Sequence, residues 1–221
     1  FGPAEDPGRG LAIPDLSAAG DALIYASFAN LVWLSAAYGG YLPDDDTFSV
    51  GDSVTVVQRF SDGNESSEVS LFRALLARTE EGAWWRYEMD LDGETVEFEA
   101  LVDSDELVRA VRFENPGVGA VEVIRPANPA PWSAEVEAAA VSETDLSRFE
   151  SSSETITVRA GTFNSNRVSG NTEDGSFTWW LSDAVPGRVL RFSGEANDGS
   201  SAEAELVEIG SGYTSPWPRA W

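Results

Sequence analysis

The side chains on which most enzyme chemistry depends are missing from this sequence. In 221 residues there is no His and no Cys, and all 14 cationic side chains are Arg, so there is no Lys either. Without imidazole or thiolate, the Ser-His and Cys-His nucleophile systems and the usual zinc sites have no parts. Without Lys there is no Schiff base, no Ser-Lys dyad and no phosphate-loop lysine. What remains is carboxylate chemistry, either glycoside hydrolysis by paired acids or a Ca2+ or Mg2+ site. The densest acidic runs are Asp44-Asp45-Asp46 and the cluster Asp103, Asp105 and Glu106. Neither has the acid-and-Gly spacing of an EF-hand loop, and both read first as solvated turns. The expectation is a chain that is not an enzyme, with no catalytic residues, no metal site and no cofactor.

The aromatic residues are more informative. Eight Trp include two adjacent pairs, Trp84-Trp85 and Trp179-Trp180. Consecutive residues of a strand point to opposite faces, so one member of each pair must leave the face its neighbour occupies. Either both faces are covered locally, by a helix on one side and by loops or the tail on the other, or the outward Trp belongs to an apolar patch that meets a ligand or partner. Together with Phe28 and Trp33 of an apolar N-terminal stretch, and Trp217 and Trp221 of the tail, these pairs form the candidate contact set. Asn64-Glu65-Ser66 matches the N-glycosylation acceptor pattern, which makes Asn64 a candidate modification site.

The elements that must position these residues follow from periodicity. Residues 1–14 are rich in Gly and Pro and are expected to form an irregular arm. After a cap at Asp15 or Ser17 comes an uncharged stretch from Ala22 to Leu42, apolar on nearly every side, which predicts a helix over about 16–38. Its burial under the protein's own sheet is the first expectation, with Leu23, Phe28, Leu31, Val32 and Leu34 inside. At about twenty residues a membrane span is an alternative, as is a buried strand pair. Asn30, the paired Gly39 and Gly40, and the absence of flanking cations count against the membrane.

From Ser53 the period changes to two. Val54–Phe60, Glu68–Arg78, Ala83–Leu91, Thr95–Val102, Glu106–Phe113 and Ala120–Arg125 read as strands, separated by short turns such as Asp62-Gly63-Asn64 and Asp92-Gly93. Ala83, Trp85, Tyr87, Met89 and Leu91 fall on one face and Trp84, Arg86, Glu88 and Asp90 on a mostly wet one. A Pro-rich link, 126–131, and a short helix near Glu143–Phe149 lead to five further strands at Thr155–Ala160, Thr162–Val168, Ser176–Ser182, Arg188–Ala196 and Ala202–Ile209. Short turns between consecutive strands imply an antiparallel meander. The fold class is mainly β, a curved antiparallel sheet or incomplete barrel wrapped around an N-terminal helix. The division is arm 1–14, a single β domain over 15–212, and an extended tail over 213–221.

Charge limits the surroundings and the partners. With 38 Asp plus Glu the formal net charge is −24, and self-repulsion of that size opposes compaction unless salt screens it; the screening length is roughly 3 Å at 1 M. A halophilic habitat fits this acidic, Lys-free pattern, and a GC-rich genome would supply part of it. Nucleic acid is not an expected partner, because binding it relies on cations that neutralise phosphates.

The C-terminal part carries Val158-Arg159-Ala160-Gly161-Thr162-Phe163, then Phe177-Thr178-Trp179-Trp180-Leu181-Ser182-Asp183-Ala184-Val185-Pro186-Gly187-Arg188-Val189-Leu190-Arg191-Phe192, then Glu205-Leu206-Val207-Glu208-Ile209-Gly210. This pattern, an aromatic strand reaching a Val-Pro-Gly turn and a returning strand, resembles the LolA/LolB lipoprotein-carrier group of exported proteins. The resemblance covers about the last quarter of the chain. It implies a half-barrel around one or more helices, with an apolar concavity that takes acyl chains, and an extracytoplasmic location in the periplasm, cell surface or outer membrane. A leader peptide, ending in a lipidated Cys just before Phe1, would fit that reading. The expected partner is an apolar ligand or lipid; the alternative is a protein partner or self-assembly, as in a structural subunit of a surface filament or membrane complex.

Overall fold

The computed structural model describes residues 20–36, 45–63, 65–91, 93–115, 119–129, 146–173 and 175–219. Helix α1 runs from Asp21 to Ala36. Asp21 in its first turn complements the positive end of the helix dipole, and the Gly20 carbonyl accepts the first hydrogen bonds, from Leu23 N at 2.9 Å and Ile24 N at 3.2 Å. Eleven strands follow: β1 Ser53–Ser61, β2 Ser66–Thr79, β3 Gly82–Leu91, β4 Glu94–Val102, β5 Val108–Asn115, β6 Ala120–Ile124, β7 Glu150–Val158, β8 Gly161–Asn171, β9 Gly175–Leu181, β10 Val189–Ala196 and β11 Ser201–Gly210.

All eleven belong to one antiparallel sheet in the order β6-β5-β4-β3-β2-β1-β11-β10-β9-β8-β7. The first and last strands pair in the middle of the sheet, Val54 opposite Ile209 and Val57 opposite Glu205. The two edges are therefore β6 and β7, neighbours in sequence that do not pair with each other, and the sheet stays open. Register shifts between Thr55 and Val56, Leu75 and Ala77, Leu101 and Val102, and Val189 and Arg191 mark bulges, which bend the bulged strand.

One face of the sheet and α1 share a single core. Ile24, Tyr25, Phe28, Leu31, Val32 and Trp33 pack with residues from both wings, among them Leu75, Phe98, Val111, Trp179, Phe192 and Leu206. Phe28 sits between Phe98 and Phe113, with ring centroids at 4.8 and 5.2 Å. The Tyr25 hydroxyl donates to the Val108 carbonyl at 2.6 Å, so its buried oxygen is satisfied. Among the described residues no helix is long and apolar enough to cross a membrane. The α1 segment rests on the sheet through β4 and β5.

Some expectations need correction. Leu23, expected inside, is 62% exposed: Ala22, Leu23, Ala26 and Asn30 share the side of α1 turned from the sheet, and a segment apolar all round gave no periodic cue to its orientation. Strand β7 starts at Glu150 and ends at Val158, earlier than expected at both ends, with Arg159 and Ala160 forming the turn. Its Ser-rich beginning has both faces in water, so no alternation announced it. The arm 1–14, the ends of the expected 16–38 helix, Leu34's side chain, Asn64 and Trp221 lie outside the described residues.

Candidate functional site

On the inner face, the trough beside the C-terminal end of α1 contains a small apolar pocket of about 40 Å³, walled by Val54, Val56, Leu71, Val189 and Leu206 with Ser35 and Arg73. The Val-Pro-Gly turn forms one side of it through Pro186 and Gly187. Gly187 has φ +72, and a Cβ there would meet Arg73 Nη2 at 3.1 Å and the Phe48 ring at 3.2 Å. Only Gly adopts that backbone without strain and leaves room for the guanidinium. The Gly187 N–H donates to Thr47 Oγ1 at 2.8 Å, which ties the turn to the segment following α1. Arg73 is a buried cation on the apolar side of the sheet. Its guanidinium lies 4.8 Å from the Phe48 ring centre and 5.0 Å from that of Trp85, an aromatic setting that favours a cation. Phe28, Trp33, Trp85 and Trp179 of the candidate set all lie in this inner core.

The outer face of β3, β4 and β5 is not wet. Trp84 and Arg86 are each 1% exposed, and Glu99 and Arg112 are buried beside them. The register places Arg86 opposite Glu99 and Glu99 opposite Arg112. Arg112 Nη1 donates to Glu99 Oε2 at 2.5 Å, and Arg86 Nε donates to Glu88 Oε1 at 3.0 Å while its Nη2 bonds Glu97. The cover is the C-terminal tail. Tyr213 packs with Trp84, Leu76 and Leu101, its hydroxyl donating to Glu88 at 3.1 Å; Ser215 Oγ donates to Glu99; and the Pro218 carbonyl accepts from Arg112 Nη2 at 2.5 Å. Trp217 lies over Arg86.

Burial raises the Glu99 carboxyl above its usual value, in spite of the Ser215 hydroxyl and the Arg112 and Arg86 charges that pull it down. Burial likewise lowers Arg112 against the attraction of Glu99. The two shifts agree that desolvation outweighs the mutual attraction of the pair. Burial, helped by the Glu88 carboxylate and opposed by Arg86, pushes the Tyr213 hydroxyl up to about 12.

Trp180, the outward member of the second pair, is half-buried on the outer face with Arg167 and Arg191 each 6.0 Å from its ring. Its indole N–H donates to Glu154 Oε1 at 2.5 Å. The described members of the candidate set thus divide between the inner core and two separate outer positions, Trp84 with Trp217 of the tail and Trp180 near β7.

The acidic cluster at 103–106 is local turn chemistry. Asp103 accepts from the N–H groups of Asp105 at 2.9 Å and Leu107 at 2.8 Å, and from Arg109. Burial works to raise its pKa, and these hydrogen bonds outweigh it and hold the carboxyl below its usual value. Asp105, Glu106 and Asp46 are exposed, and Asp44 lies outside the described residues. Among the described residues no group of three or more potential ligands is placed to hold a metal ion.

Sequence reasoning missed Arg73 and the Arg86-Glu99-Arg112 row. A signal for the row existed: alternating charges stand at matching positions of three consecutive strands beside Trp84, and a tail with two Trp was at hand to cover them. Arg73 carried a signal as well, since it occupies the apolar phase of β2 set by Val69, Leu71 and Leu75, where a cation interrupts the pattern.

No protein-family model matches the chain, and no curated protein does. Among solved structures, LprF from Mycobacterium bovis is similar with 12% identity and a TM-score of 0.39, over 87% of this chain and 98% of that one. The MucA/MucB complex of Pseudomonas aeruginosa is similar with 12% identity and a TM-score of 0.39, over 85% of this chain and 58% of that one. A domain from Vibrio parahaemolyticus assigned to outer-membrane lipoprotein sorting is similar with 13% identity and a TM-score of 0.30, over 75% of this chain and 88% of that one. At TM-scores of this size the likeness carries no argument about what this chain binds.

Proposed function

We propose that the chain is a non-enzymatic extracytoplasmic binding protein that takes an apolar group, such as an acyl chain, into the trough between α1 and the inner face of β1, β2, β10 and β11. The observation that supports this most directly is the apolar pocket at the end of α1, walled by Val54, Val56, Leu71, Val189 and Leu206. Specific ligand sites are concave, mostly apolar and marked by a few polar groups, and here Ser35 and Arg73 are the polar members. At about 40 Å³ the pocket admits only the end of a chain, so a longer ligand requires α1 to move along or away from β4 and β5. The lack of His, Cys and Lys supports a role without turnover, and the resemblance of the 158–210 motif to exported carriers supports an extracytoplasmic site.

The test is titration with a fluorescent fatty-acyl probe. Wild type should bind it saturably, and Val56→Trp, which fills the pocket from a half-buried strand position, should weaken binding by about tenfold or more with an unchanged circular dichroism spectrum. Equal binding by wild type and Val56→Trp would remove this trough as the site.

A further inference from the structure

We propose that the outer edge of β7 pairs antiparallel with the same edge of a second copy of this chain, joining two eleven-stranded sheets into one. Strand β7 is nine residues long and pairs on one side with β8 without a bulge, from Glu150 opposite Ser169 to Val158 opposite Gly161. Among the described residues no strand pairs with its other side. The opposite edge, β6, has five residues only.

The direction of the free groups follows from the turn. The pair Val158 and Gly161 closes a two-residue hairpin, so Val158, Ile156, Glu154 and Ser152 turn their N–H and C=O groups towards β8. The Ser165 hydroxyl, opposite Glu154, donates to the Glu154 carbonyl at 3.1 Å, as that alternation requires. On the other side of β8, Thr172 N donates to the Gly175 carbonyl at 2.8 Å, which fixes the same alternation independently. Ser151, Ser153, Thr155 and Thr157 therefore direct their backbone groups away from the sheet.

Two further observations favour a second copy as the occupant. Natural proteins blunt exposed edges with charged side chains, Pro, bulges or short strands; β7 has no Pro, Lys or bulge, and its only charges are Glu150 and Glu154. It is exposed on both faces from Glu150 to Thr155, so pairing demands no new core. Charge is also sparse here: residues 150–191 hold five acidic side chains and four Arg, a net charge of −1, in a molecule of −24. Two copies meeting at this edge bring together a weakly charged part of a mutually repelling pair. A cationic peptide would be drawn instead to the acidic remainder. A two-fold axis through Ser153 or Thr155 keeps Glu154 from facing its own copy, whereas an axis through Glu154 does not. The inference is independent of the trough on the inner face.

Sedimentation velocity of the full chain at about 100 µM, in about 0.2 M and about 2 M NaCl, tests the pairing. A dimer that strengthens with salt is expected. Thr155→Pro removes one outward backbone donor and keeps the β7 to β8 backbone bonds, losing only the side-chain bond from Thr155 Oγ1 to Asn164 Oδ1 at 3.0 Å, and should weaken the dimer by about tenfold or more. Thr155→Lys, which places a charge on the edge without restricting the backbone, should do the same if the Pro variant fails to fold. Because the chain has no Cys, a single Thr155→Cys or Ser153→Cys should oxidise to a disulfide-linked dimer, while Val123→Cys on β6 should not. A wild type that stays monomeric in both salts, a Lys variant that dimerises like wild type, or crosslinking through β6 instead of β7 would overturn the proposal.

Discussion

The ring of Trp217 lies 4.5 Å from the guanidinium of Arg86, although 131 positions separate them in a chain whose β3 alternation assigned Arg86 to open water. Tail residues 213–219 lie on the protein's own sheet, and the buried charges beneath them exist in a low-dielectric layer that the tail creates. A cation over an aromatic face is worth more once water is excluded, so the tail and the charged row stabilise each other. A Trp seated in this way is a structural cover first.

Trp217→Ala should lower stability by about 1–3 kcal/mol, because it removes both apolar cover and the cation–π contact. Urea denaturation followed by circular dichroism measures it. A loss below about 0.5 kcal/mol would mean that water already reaches Arg86.

The Glu99-Arg112 pair should behave as a costly buried pair. Arg112→Met alone leaves Glu99 uncompensated and should cost about 3–5 kcal/mol, whereas Glu99→Leu with Arg112→Met should be neutral or stabilising by up to about 4 kcal/mol. The sign with pH follows from the raised Glu99 value: the folded state holds this proton more tightly than the unfolded chain. Its contribution to stability is therefore present below the unfolded value near 4.5 and is lost as pH rises through the folded value. The difference in stability between wild type and the double variant should shift against wild type over that window, and a flat difference would show that Glu99 titrates normally.

Salt should stabilise this chain more than its apolar surface explains. A net charge of −24 without Lys predicts a gain of about 2 kcal/mol, or roughly 5 °C in Tm, between about 0.1 M and about 2 M NaCl. Matched melts in an uncharged osmolyte isolate the electrostatic part. Equal gains in both would leave genome composition as the source of the acidic pattern.

Phe28→Ala should cost about 3–5 kcal/mol, since Phe28 is 1% exposed between Phe98 and Phe113. The space it vacates lies between α1 and β4 and β5, the contact that a longer ligand has to open, so a variant that remains folded should take up the acyl probe more readily than wild type. Denaturation and probe titration on one preparation check both effects, and a destabilised variant with unchanged uptake would separate α1 from the binding trough.

The strands were legible because each is bounded by turn residues and most alternate cleanly; Ala83 to Met89 is the plainest case, with Trp85, Tyr87 and Met89 all buried inside. The order of the strands was not. Nothing local says that β1 pairs with β11, which places the open edges at β6 and β7 in mid-chain. The orientation of α1 was illegible for the opposite reason to β7: one segment is apolar on every side and the other polar on both, and periodicity is informative only between those extremes. The outer face failed because alternation assigns polar residues to water, and it took a tail more than a hundred residues away to bury Arg86 and Arg112. The inner-face cation Arg73 depends on Phe48 and on the room left by Gly187, a juxtaposition that no spacing encodes.

The most direct measurement of the central claim, an apolar ligand held in the trough, is organic extraction and mass spectrometry of the protein purified under native conditions from its own cells. The binding reading predicts a co-purifying acyl-bearing molecule in near-stoichiometric amount, reduced in Val56→Trp. Protein that carries no such molecule, and that binds no acyl probe at saturating concentration, would contradict it.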